Sequence, residues 1–135
     1  MRAILSIPLF LYLLVAANVA MLGDEGGVPL INAVLLELAL PSTRVLVVTL
    51  SDALILASVL ALYFETLKAT RTSIISIIDH ALSLFVFVVF LIEFLVFEPV
   101  GNTTFLIMTV ASLMDVVMGF TVTISTARRD FAVGT

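Results

Sequence analysis

The chain has 135 residues, 62% of them hydrophobic and only 12% charged, with a mean hydropathy of +1.31 and a formal net charge of -4. Such a composition excludes an ordinary soluble domain, because too few polar side chains remain to cover a core of this size. Ten acids and six bases spread along the chain leave no basic footprint for nucleic acid, and the lack of cysteine removes thiolate catalysis, disulfide exchange and thiolate metal sites.

Crossing the hydrocarbon core of a bilayer takes about 20 residues of helix. Taken in chain order, four stretches reach that length: residues 3–22, 45–67, 74–97 and 103–127. The first also resembles a secretory signal, with Arg2 ahead of an apolar run and small residues around Ala17; a retained span is the expectation and a cleaved segment the alternative. Residues 28–40, VPLINAVLLELAL, are apolar but too short to cross. Pro41 separates them from the second span, so a short interfacial or re-entrant helix is expected there, with Ser42 or Thr43 capping the helix that follows. The remaining connections, KATRTS and EPVGNTT, are short and polar.

Short loops force neighbouring spans to run antiparallel. The expected fold is therefore all-α: one integral membrane domain over residues 1–135, built as a four-transmembrane-helix up-down bundle. Arg2, Lys68, Arg71, Arg128 and Arg129 all fall at the two ends or in the second loop, whereas Asp24, Glu25, Glu37 and Glu98 fall on the other side; Arg44 is the exception. Basic residues concentrate on the cytoplasmic face, so both termini are expected inside.

Ionisable groups within spans are costly, about 2.5–3.5 kcal/mol each at the helix centre, and usually face the bundle interior. Asp115 lies near the middle of the fourth span without a basic residue within three turns. It shares a face of small residues with Ala111, Gly119, Thr123 and Ala127, with Ser112 alongside, a pattern suited to close helix packing. Either Asp115 hydrogen-bonds across that contact or it forms a proton or cation site. On the second span Arg44, Ser51, Ser58 and Glu65 recur every seven residues, with Asp52 beside them. Asp52 lies about 10 Å below the outer end and Glu93 of the third span about 6 Å below it. An Arg44 ion pair with one of these acids is expected to fix helix register.

The third span places Asp79, Ser83, Val86, Phe90 and Glu93 on one face and repeats Phe87, Phe90, Phe94 and Phe97, a stripe read first as helix packing. His80, beside Asp79, is the single histidine, so bis-histidine haem and histidine metal clusters are excluded, as is a retinal-type lysine inside a span. No cofactor, metal or catalytic residue is expected. Glu93, Asp52, Asp115 and the Asp79–His80 pair descend in depth, an order compatible with a proton relay or with separate interhelical hydrogen bonds.

The run YFETLKATRTSIISIIDHALSLFVFVVFLIEFLVF, followed by SLMDVVMGFTVTISTARRD, resembles small four-span proteobacterial membrane proteins. The resemblance covers roughly the C-terminal half and implies a bacterial inner-membrane location, with no reaction attached. Small multidrug exporters are similar in size, but their essential first-span glutamate has no counterpart here, where that span offers only Asn18. The expected function is a non-catalytic subunit or accessory protein of a larger inner-membrane assembly, surrounded by lipid and by other membrane subunits. The alternative is a homo-oligomeric proton- or cation-coupled transporter or channel using the intramembrane acids.

Overall fold

The computed structural model describes residues 7–70 and 74–133. Arg2, Arg71 and the beginning of the expected first span lie outside them. Helix α1 (Leu9–Leu22) follows Pro8 and is free of glycine and proline. It ends at Gly23, whose N–H donates to the Val19 carbonyl at 2.8 Å. A Cβ at Gly23 would come within 2.7 Å of that carbonyl oxygen and against the Leu30 side chain, so only glycine fits this exit. At 14 residues α1 is about 21 Å long, less than the hydrocarbon thickness.

Strands β1 (Asp24–Glu25) and β2 (Val28–Pro29) form a minimal hairpin across Gly26 and Gly27, both at positive φ (66° and 88°). The primed turn matches the twist of the strands and needs residues tolerant of left-handed backbone. A single 3-10 turn (Leu30–Asn32) then leads into a second antiparallel hairpin, β3 (Val34–Ala39) with β4 (Val45–Thr49).

This hairpin replaces the short helix expected over residues 28–40, and it shortens the second helix at its start. The run VLVVT is rich in β-branched residues, which suit an extended backbone better than a helix. Pro41 and Thr43, the latter at φ 66°, fold the chain back so that VLVVT pairs with VLLELA. The leucines, alanine and glutamate of β3 favour helix by themselves, and strand pairing overrides that preference. The helix cap also falls elsewhere than at Ser42 or Thr43. Thr49 and Asp52 form a reciprocal capping box at the start of α2 (Leu50–Ala69), the Thr49 N–H donating to Asp52 Oδ2 at 2.9 Å.

Helices α3 (Ile74–Val96) and α4 (Thr103–Val133) follow, joined through a 3-10 turn at Glu98–Val100. Asn102 caps α4 by accepting the Phe105 N–H at 3.0 Å. Among the described residues, α2, α3 and α4 are long and apolar enough to cross a membrane. α4 packs most extensively against α2 and α3, while α1 lies against α2 and α3. The pairs Ser51–Thr104 and Thr66–Met118 make α2 and α4 run the same way, and Phe90–Phe105 with His80–Thr123 make α3 run against α4. The bundle thus has a hairpin end, near Leu50, Val96 and Thr103, and a loop end, near Ala69 and Ile74.

The apolar core fills the hairpin half. Phe90 meets Phe10 edge-on at 6.5 Å and Phe105 at 5.2 Å, with Met108 and Val100 fully enclosed beside them. Phe90 is the only member of the phenylalanine stripe to be fully buried; Phe87 and Phe94 are half-buried and Phe97 is exposed. Thr49→Ala removes the hydroxyl half of the capping box and is expected to lower stability by about 1 kcal/mol, measured by equilibrium unfolding in detergent micelles.

Candidate functional site: an ion cluster between helices

The loop half of the bundle is polar inside. Lys68, in the last turn of α2, donates from Nζ to Glu65 Oε2 at 2.8 Å and to Asp79 Oδ2 of α3 at 3.1 Å. The other Glu65 oxygen accepts the Leu9 N–H at 2.6 Å, one of the amides that the first turn of α1 leaves without an intrahelical partner. One carboxylate therefore joins α1 to α2, and one ammonium joins α2 to α3. Glu65 and Asp79 are buried to within 5% of full enclosure, whereas the Lys68 side chain remains 21% exposed toward the loop end.

His80, the next residue on α3, hydrogen-bonds Thr123 Oγ1 of α4 through Nε2 at 2.7 Å, and its ring lies 5.7 Å from that of Phe120. The imidazole rests directly on Gly119. A Cβ there would stand 2.7 Å from His80 Nδ1, so the small-residue face of α4 is what admits the ring. Asp115, one turn before Gly119, is hydrogen-bonded by the Ser83 hydroxyl of α3, and the charges of Glu65, Lys68 and Asp79 act on it. Ser112 and Val116 of the same face are buried, Ala111 and Thr123 half-buried. Among the described residues two enclosed oxygens have no hydrogen-bond partner: Asp115 Oδ2 and Asp79 Oδ1.

Asp52 and Glu93 stand apart from this cluster. Asp52 is an exposed helix cap, and Glu93 accepts a hydrogen bond from Asn18 of α1 at 2.8 Å, at the edge of an open groove of about 550 Å³ lined by Leu14, Val15, Val19 and Leu22. The expected pairing of Arg44 with either acid is not among the ion pairs of the described residues. Arg44 is exposed in the β3–β4 turn, five residues of strand away from the helix it was assigned to, and both carboxylates already have other donors. The relay order Glu93, Asp52, Asp115, Asp79–His80 consequently breaks into three separate places.

Glu65 and Lys68 carry the cluster, and sequence reasoning did not single them out as a site. Two signals were available: the three-residue spacing of opposite charges on α2, and the Ser51, Ser58, Glu65 stripe, in which Ser58 and Glu65 are buried and Ser51 bonds Thr104 at 2.6 Å. Among the described residues no three histidine or acidic groups converge as a metal ion would require. The arrangement can exchange protons and compensate positive charge. No protein-family model matches this chain, and comparison with curated proteins and with solved structures gives no significant match.

Gly119→Ala is expected to push the His80 ring off α4 and break its bond to Thr123, costing about 1–3 kcal/mol; a shift of the imidazole resonances together with a lower unfolding midpoint would register it. Lys68→Met leaves Glu65 and Asp79 facing each other without a cation and is expected to cost about 3 kcal/mol, a loss that adding Asp79→Asn partly restores in the same unfolding assay.

Proposed function

We propose that this chain is a small polytopic subunit or assembly factor of a larger bacterial inner-membrane complex, spanning the bilayer four times with both termini in the cytoplasm. Three helices of spanning length, the run of α3 against α2 and α4, and the basic residues Lys68 and Arg128 at the loop end support this placement, with the shorter α1 assigned the remaining crossing. On that orientation the β3–β4 hairpin stands on the outer face. No step of catalysis is assigned to the chain.

The observation that carries this reading is the hairpin itself. Leu36, Leu38 and Leu46 project from one face and Val45 and Val47 from the other, all exposed, and each strand has one neighbour among the described residues, leaving its outer edge free. A two-stranded hairpin is marginal by itself in water. Apolar side chains on both faces disfavour water, and open backbone edges disfavour hydrocarbon. A protein surface that adds a strand and covers a face satisfies both demands. The transporter alternative has less support, because Asp52 and Glu93 lie away from Asp115.

The chain contains no cysteine, so single cysteines can be placed on each hairpin face. Leu38→Cys and Val47→Cys, treated in native membranes with an impermeant bifunctional crosslinker, are expected to give one discrete adduct with a second membrane protein. Adding lysine at Leu36 and Leu46 should abolish that adduct without reducing insertion. Full labelling of both cysteines with no adduct, from a chain that extracts alone, would overturn the proposal.

A further inference from the structure

Asp115 sits about 18 Å along α4 from Thr103, 5% exposed, with a serine hydroxyl on its carboxyl group and no partner at Oδ2. The groups acting on it are Glu65 and Lys68 from α2 and Asp79 and Ser83 from α3, while His80, next to Asp79, bonds Thr123 and rests on Gly119 of α4. α1 contributes its Leu9 amide to Glu65, and its one titratable side chain, Tyr12, is exposed. Among the described residues three carboxylates thus share one ammonium, and that ammonium is already bonded to two of them. Asp115 is the carboxylate left over, and the second unpartnered oxygen, Asp79 Oδ1, belongs to the acid between it and Lys68's opening. A buried carboxylate without a cation of its own takes a proton, and a proton supplies the positive charge that Asp115 lacks.

The two directions out of the site differ. Toward the loop end lies Lys68, the partly exposed member of the cluster. Toward the hairpin end lie Val86, Phe90, Phe105 and Met108, all buried, and the hydroxyls of Ser58, Thr109 and Ser112 donate back to carbonyls of their own helices.

We propose that Asp115 reversibly binds a proton, and that this proton enters and leaves through the Glu65–Lys68–Asp79 cluster at the loop end alone. In the step, hydronium at the loop end gives one proton to Oδ2; one O–H bond forms, water is released, and the carboxylate becomes a neutral acid. No electron moves. The cluster gains one positive charge, and the unpartnered Oδ2 of Asp115 becomes a hydroxyl.

The test uses the full chain, inserted in one orientation in vesicles of neutral phospholipid and carrying aspartate labelled with carbon-13 at the side-chain carboxyl. Infrared difference spectra on acidification should show one protonated-aspartate C=O band that is lost in Asp115→Asn and shifted in midpoint by Asp79→Asn. The band should follow the pH of the compartment at the loop end. If Asp115→Asn fails to fold, Ser83→Ala, which removes the hydroxyl donor, must move the midpoint of the same band. A band indifferent to these substitutions, the absence of any titrating aspartate band, or a response to the hairpin-side compartment would each overturn the proposal.

Discussion

Lys68 is the group on which the packing of three helices depends. Its ammonium bridges Glu65 on its own helix and Asp79 on α3, and Glu65 in turn holds the first amide of α1. Charges with so little access to water are tolerable when they are paired and hydrogen-bonded within the protein. The cost of leaving any one of them alone therefore fixes the rotation of α1, α2 and α3 about their axes more strictly than apolar contacts, which tolerate sliding, can do.

α4 completes the arrangement by being small where its neighbours are polar. Gly119 makes room for the His80 ring and Thr123 receives it, while Asp115 is brought against Ser83 one turn away. The division of the interior into an aromatic half and an ionic half follows from this. Phe10, Phe90 and Phe105 occupy the half where apolar side chains of α1, α3 and α4 meet, and the charges gather at the half where Lys68 still reaches water. Asp115 stands at the boundary, and its second oxygen has no hydrogen-bond partner among the described residues.

The β3–β4 hairpin obeys a different constraint. It follows β1, β2 and a 3-10 turn and runs straight into the capping box of α2, so its position is tied to the bundle by backbone at both ends. Its apolar faces, by contrast, are not covered by the described residues. A rigidly anchored, uncovered strand pair is suited to recognition by a neighbour, because little ordering entropy remains to be lost when the contact forms.

The sequence by itself determined the apolar character, the three long helices and the interior faces of α2 and α4, because hydropathy and the three- to four-residue spacing of buried positions are local properties of the chain. The seven-residue recurrence of Ser51, Ser58 and Glu65 and the small-residue row ending in Gly119 and Thr123 could be read there directly. What only the tertiary structure decided was which faces meet. VLVVT reads as the beginning of an apolar span until it is paired with VLLELA, and the preference of β3 for helix is outweighed only once its strand partner is in place. In the same way Arg44, Asp52 and Glu93 have depths that suggest an ion pair, yet their partners were settled by a turn, a cap and the approach of Asn18. Burial and charge compensation depend on separations across helices, and linear spacing along one helix does not contain them.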